Sequence, residues 1–183
     1  MCHVLHDHEL LNRPVRLEWP WFVSGVGALG VTTRLALFDI SLSDRELPER
    51  ILACRPVGQP KAEFLSIKIL GSGTYLDAAG RRRSEDRLVE LIVETHEANL
   101  SARLSVHHDI WADYDFFGRP HFDIYERNAP RLTAALQALD EVLGVTADPG
   151  DSTYFGAAEG YGLARTDPED LIDGLGIDRS DKL

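Results

Sequence analysis

Hydrophobic side chains recur along this chain with two periods, and the periods divide it into elements. Leu132, Ala135, Leu136, Leu139, Val142 and Leu143 return every three or four residues, the spacing that lines one face of an α-helix, while Arg131, Gln137, Asp140 and Glu141 fall on the other face. Asn128 is placed to cap the start of that helix, Pro130 to occupy its first turn, and Gly144 to end it in a left-handed conformation. Because proline disfavours helical angles in the residue before it, Phe122 to Arg127 is expected to form a separate short turn.

Elsewhere the period is two. Val15, Leu17, Trp19, Trp21 and Val23 alternate with Arg16, Glu18, Pro20 and Phe22, a half-buried strand that Pro20 assigns to a sheet edge or a bend. Val31 to Phe38 is β-favouring and is expected to extend to Leu42. Ser43 and Glu46 have capping-box spacing before a short helix through Pro48 that ends near Cys54, and residues 55–60 read as a linker. Leu65, Ile67 and Ile69 mark a strand from Lys61 to Leu70, followed by a loop bracketed by Gly71-Ser72-Gly73 and Asp77 to Gly80. Val89, Leu91, Val93 and Thr95 face one way and Ala102, Leu104 and Val106 match them, which predicts a hairpin with its turn near Ala98-Asn99. A two-residue turn there sets Val93 opposite Leu104, Leu91 opposite Val106, Glu94 opposite Arg103 and Glu90 opposite His107.

After Gly144 the pattern loosens. Asp148-Pro149-Gly150-Asp151-Ser152 is turn chemistry, Tyr154-Phe155 an expected aromatic anchor, and Asp167-Pro168-Glu169-Asp170 the start of a short helix carrying Leu171, Ile172 and Leu175. The expectation is a single α+β domain over residues 1–183: about five mostly antiparallel strands, one long amphipathic helix packed on the sheet and short terminal helices. Residues 1–13 are expected to be a mobile terminus and residues 145–183 an acidic, loop-rich extension.

Charge sharpens this picture. The net charge is −11, and from Asp140 to Leu183 eleven acids against three basic residues give −8, leaving −3 for the rest. Such a surface repels phosphate backbones and steers basic partners toward it, so the expected partner is a basic protein and not nucleic acid. The opposing run Arg81-Arg82-Arg83 reads as a solvated turn. No apolar stretch has the length of a membrane span or the form of a signal peptide, which makes a cytoplasmic protein the expectation.

The candidate chemistry is sparse. Gly25-Val26-Gly27-Ala28-Leu29-Gly30 fits GxGxxG, but a β-favouring run follows it where a helix would have to open, so it reads as a connection between strands. His3, His6 and His8 around Asp7 could chelate a metal, but no ligand spacing such as HExxH occurs, and Cys2 and Cys54 form no cluster; neither a metal nor a cofactor is expected. At Asp173-Gly174 the acids needed for a calcium loop are interrupted by Leu171.

The densest set of functional side chains lies between His107 and Asp123. Read as an enzyme, hydrolytic or metal-assisted, the chain would use His107, Asp109, Asp113, Asp115 and His121, with His107 as a general base held by Glu90 or Asp109. Read as a binding module, it would offer Trp111, Asp113, Tyr114 and Asp115 from an exposed loop, with Asp140, Asp148 and Asp151 from the acidic quarter. In size, acidity and α+β pattern the chain resembles the immunity proteins of bacterial polymorphic toxin systems. That resemblance implies a protein that binds and blocks a toxin domain, and it carries over no functional residues.

Overall fold

A computed structural model describes residues 1–38, 42–96, 99–153, 156–167, 171–172 and 176–177. The chain is α+β, with a five-stranded antiparallel sheet in the order β2-β1-β3-β4-β5 and one long helix. In chain order the elements are α1 (Cys2–Asp7), β1 (Asn12–Val23), β2 (Gly27–Leu37), α2 (Leu47–Ala53), β3 (Ser66–Leu76), β4 (Arg82–His96), β5 (Asn99–Val106), a 3-10 turn (Asp109–Trp111) and α3 (Phe122–Leu143). The two-residue strands β6 (Ala158–Glu159), β7 (Gly162–Leu163), β8 (Leu171–Ile172) and β9 (Gly176–Ile177) follow, paired as β6-β7 and β8-β9.

Two compact units divide these elements. One comprises Met1–Leu10, Thr74–Glu85 and His108–Leu183; the other comprises Leu11–Gly73 and Asp86–His107. Two of the four boundaries, after Gly73 and after Glu85, fall inside β3 and β4, so two strands run covalently through both; the other two, after Leu10 and after His107, fall between elements.

The sheet unit is built on the alternation of β1. Val15, Leu17, Trp19 and Trp21 are buried, and their neighbours are half-buried or exposed. Trp19, Trp21 and Phe64 pack edge to face or tilted, with ring centroids 5.7–6.2 Å apart, and the Trp21 indole donates to Thr33 Oγ1 at 2.7 Å. Pro20 lies at a bend, not at an edge: β1 sits between β2 and β3, and its register with β2 shifts between Pro20 and Phe22. A residue without an N–H is tolerated where the ladder is already broken. The GxGxxG stretch covers the end of the β1-β2 turn and the first residues of β2, with Gly25, Gly27 and Gly30 at positive φ and no helix opening after them.

Helix α2 starts at Leu47 and ends at Cys54 as its C-cap; Asp44, not Ser43, accepts the Glu46 amide at 2.9 Å. Strand β2 ends at Leu37, and the expected extension toward Leu42 falls on residues 39–41, outside the described residues.

Three expectations for β3 to β5 are corrected. Gly71-Ser72-Gly73 is not a loop but the middle of β3, because a Cβ on Gly71 would stand 2.7 Å from the Asn12 carbonyl oxygen; only glycine lets the two backbones approach this closely. The loop is confined to residues 77–81, where Asp77 N–H donates to the Arg81 carbonyl at 2.9 Å. The β4-β5 register is two residues tighter than expected, with Val93 opposite Ala102, Leu91 opposite Leu104 and His96 opposite Asn99. Asn99 therefore begins β5, and Ala98 of the expected turn lies outside the described residues. Both registers bring the same faces together because side chains alternate with period two, so the turn alone decided between them.

Within β4, Arg87 adopts φ +56, a left-handed conformation that costs a non-glycine residue about 1 kcal/mol or more. It breaks the alternation there: Leu88, Val89, Glu90 and Leu91 are all buried in succession.

The other unit is organised by α3, which departs from expectation at its start. It begins at Phe122 and runs unbroken through Pro130 to Gly144, whose φ is +68. Asn128 is not its cap. The side chain is fully buried within the helix; its Oδ1 accepts the Leu76 amide at 2.9 Å, and its Nδ2 donates to the carbonyls of Leu76 and Ile124, both at 2.8 Å. Asn128 thus pairs a side-chain amide with the exposed polar groups at the end of a strand, which anchors the helix on both sides of the turn that Pro130 weakens.

Arg131, expected to face solvent, instead donates to the carbonyls of Thr74 at 2.8 Å and His8 at 2.9 Å, and burial together with the Arg82 charge lowers its pKa. The N-terminus is correspondingly ordered. Residues 2–7 form α1, Val4, Leu5, Leu10 and Leu11 are buried, and Glu9, at φ +59, takes Arg82 as an ion partner.

The arginine run is a gripped turn. Asp77 accepts the Arg81 amide at 2.9 Å and the Nε of Arg81 and Arg83, each at 3.0 Å. Toward the C-terminus, Leu171–Ile172 pairs with Gly176–Ile177 as strands where a helix was expected. Pro168, Glu169, Asp170, Asp173, Gly174 and Leu175 of that expected helix, and the Tyr154-Phe155 anchor, lie outside the described residues.

Candidate interaction loop

Chain direction sorts the residues between His107 and Asp123. His107 ends the sheet unit; it is exposed, and its charge acts on Glu90. His108 opens the other unit, caps the 3-10 turn by accepting the Ile110 amide at Nδ1 (3.3 Å), and packs its ring against Tyr75. The same Nδ1 lies 3.0 Å from Asp109 Oδ1. One ring nitrogen cannot accept from an amide and donate to a carboxylate at once: Nδ1 makes the first contact when it carries no hydrogen and the second when it carries one.

Asp109 holds the loop from beneath. Its Oδ2 accepts the Phe116 amide at 3.2 Å. Burial pushes the carboxyl up, but the hydrogen bonds from His108 and the Phe116 amide, with the nearby charges of His108 and His121, outweigh it and leave the pKa lowered. His121 is the N-cap residue of α3; its amide donates to the Asp113 carbonyl at 3.0 Å and its Nε2 lies 2.9 Å from the Ala112 carbonyl oxygen.

Two residues expected on an exposed loop are interior. Trp111 is fully buried, its indole Nε1 without a hydrogen-bond partner among the described residues, and Asp113 is 5% exposed, accepting the Thr166 amide at 3.1 Å. The reason is local. The 3-10 turn places Ile110 and Trp111 in the core, and Asp113 follows them to supply an acceptor for a buried amide that would otherwise be unsatisfied.

The rest of the loop is a rigid tip. Asp115 accepts the amides of Phe117 and Arg119 at 2.9 Å and the Arg119 Nε at 2.8 Å, while its own amide donates to the Arg119 carbonyl at 2.9 Å. Burial raises the Asp115 pKa, but these bonds overcome it and keep the group lowered. Gly118 supplies the φ of +74 that the reversal needs, and Tyr114 bridges to Pro120 across its base. Tyr114 and Phe122 meet edge to face at 5.7 Å, and the Arg119 guanidinium sits 5.0 Å above the Phe117 ring.

What this scaffold displays is apolar: Phe116, Phe117 and Phe122 are 40%, 69% and 48% exposed. Aromatic rings left in water on a loop whose backbone is fully tied down are not there for the core.

In the acidic quarter, Asp140 is already engaged, accepting the Tyr161 hydroxyl at 2.7 Å and the Ala147 amide at 2.9 Å; that hydrogen bond raises the Tyr161 pKa. Asp148 and Asp151 are exposed.

The members of the set His107, Asp109, Asp113, Asp115 and His121 make different contacts. Asp109 and His121 interact, Asp113 and Asp115 are spent on backbone amides, and His107 acts on Glu90. Among the described residues no three His, Cys, Asp or Glu side chains are grouped to hold a metal ion, His3, His6 and His8 included, and no helix is long and apolar enough to cross a membrane. Asp115 was a candidate from the sequence, but its role as the clamp of Phe117 was not; the spacing Asp-x-Phe-Gly-Arg, an acid able to reach the amides two and four residues on, was the available signal. No family model, curated protein or solved structure matches the chain.

Proposed function

We propose that this chain is a protein-binding module of the inhibitor or immunity type, which docks its aromatic loop onto a basic partner. One observation carries the reading: Phe116 and Phe117 stand in solvent on a turn that Asp115 and Asp109 hold rigid. A preorganised aromatic tip binds with little loss of conformational entropy, the property that makes a few aromatic anchors dominate interface energies. Between Asp109 and Asp123 there are four acids and one arginine, and the last quarter of the chain has a net charge of −8, so the approach of a basic surface is favoured over long range.

Affinity capture from the native cells at low salt, followed by binding measurements on the partner so identified, tests this. Phe117→Ala, at a 69% exposed position, leaves the fold intact and is expected to weaken binding roughly 30-fold, mainly through faster dissociation. A partner that binds the variant as tightly as the parent would remove the loop from the interface. The absence of a stoichiometric basic partner would remove the reading.

A further inference from the structure

We propose that the polar face of the sheet is a second binding surface, of opposite sign to the rest of the molecule, and that it takes a short acidic protein segment. The register places a row of alternating charges across four strands. Arg34 of β2 is directly opposite Glu18 of β1, Glu18 is opposite Lys68 of β3, and Lys68 Nζ is 3.0 Å from Glu90 Oε1 of β4.

The row does not neutralise itself. Each carboxylate is shared by two cations: Glu18 by Arg16 at 2.9 Å and Arg34 at 3.2 Å, Glu90 by Lys68 at 3.0 Å and Arg87 at 3.1 Å. Four cations over two anions leave a net charge of +2 on this patch, in a chain of −11. The exposed His107 lies within electrostatic reach of Glu90 and adds a further group that is positive when protonated.

Depth separates the signs. The carboxylates are recessed, with side-chain exposures of 18% for Glu18 and 6% for Glu90, while Arg34, Arg16, Arg87 and Lys68 stand out at 72%, 42%, 49% and 37%. A face designed only to satisfy its own charges would pair them one to one. Here the buried acids orient the cations above them, so their remaining donors point outward already ordered. Arg87 donates to Glu90 from a residue whose backbone is left-handed, at φ +56.

The occupant follows from extent and composition. The cations span β2 to β4, roughly 15 Å at the usual strand spacing, which suits two or three carboxylates. The row contains no aromatic platform for bases, so a nucleic acid is disfavoured. A short acidic segment of a protein meets the cations and ends where they end.

The test is a backbone amide NMR titration of the whole chain with a short glutamate-rich peptide, with the equivalent glutamine peptide and a single-stranded oligonucleotide in parallel. Shifts are expected at Glu18, Arg34, Lys68 and Glu90 with the glutamate peptide alone. Arg16→Gln with Arg34→Gln, at a half-buried and an exposed position, is expected to weaken it roughly tenfold while leaving the rest of the spectrum in place. No shifts, shifts on another surface, equal binding of the glutamine peptide, an unaffected double variant, or binding of the oligonucleotide in place of the peptide would each overturn the proposal. Loss of the aromatic loop's partner by Phe117→Ala would not move this result.

Discussion

Asp77 shows how much of this chain's charge is spent on holding turns. The Arg81 amide, donated to its carboxylate, is the largest influence on it; against a smaller opposing effect of burial, the Arg83 and Arg81 side chains add to that bond, and its pKa falls from 3.8 to about 2. A carboxyl whose folded pKa is depressed contributes stability that is fully present above its unfolded pKa and is lost as pH falls through the folded one. The β3-β4 turn should therefore lose this contribution between about pH 4 and pH 2. Melting temperatures of the parent and Asp77→Asn should differ by a constant amount above pH 5 and converge by about pH 2; a gap that stays flat across that window would show that the turn does not depend on this charge. Asp109 and Asp115 are lowered in the same direction by the amides they accept, so the aromatic loop weakens in acid for the same reason. The sequence displayed all three aspartates and offered Asp109 and Asp115 as catalytic or binding groups. It did not display the backbone amides that occupy all three, because those donors are set by how each turn closes.

At the scale of elements, glycine and asparagine did what the hydrophobic pattern could not. Gly71 sits mid-strand in β3 with the Asn12 carbonyl against its α-carbon, so Gly71→Ala should force β1 and β3 apart and destabilise the chain by about 2 kcal/mol or more, read as a lower denaturation midpoint with an unchanged m-value. An unchanged midpoint would mean that the strands can shift without cost. The periodicity of α3 was legible from Leu132 onward, and the alternations of β1 and β5 were legible, as was that of β4 away from Arg87. The first turns of α3 were hidden because Pro130 and Asn128 are stop signals locally; a fully satisfied buried amide overrode both. Glu90 was hidden for a related reason. Alternation put it on an outer face, and only the kink at Arg87 and the arrival of Lys68 from β3 made a 5% exposed carboxylate tenable.

For the molecule as a whole, the distribution of charge matters more than its sum. The acidic quarter and the cationic row carry opposite net charge, and salt should weaken the binding proposed for each. Asp148 and Asp151 are exposed, whereas Asp140 supports Tyr161 and Ala147, so the informative variant for the acidic surface is Asp148→Asn with Asp151→Asn. We expect it to slow association with the basic partner several-fold at low salt and to match the parent as ionic strength passes about 0.15 M, where charges beyond roughly 8 Å are screened. Equal association rates at low salt would remove this quarter from the encounter.

The amino-acid sequence by itself determined the class of fold, the sheet's hydrophobic alternation, the helix that ends at Gly144 and the asymmetry of charge, because each depends on periodicity or composition that a chain carries locally. Tertiary structure alone decided which polar groups were left to act. Trp111 and Asp113 were drawn inside, Phe116 and Phe117 were left out on a clamped turn, and Arg34, Glu18, Lys68 and Glu90 were aligned from four separate strands. Those outcomes depend on partners far away in the chain, and a buried donor or charge selects its partner only when the fold has brought every candidate within reach.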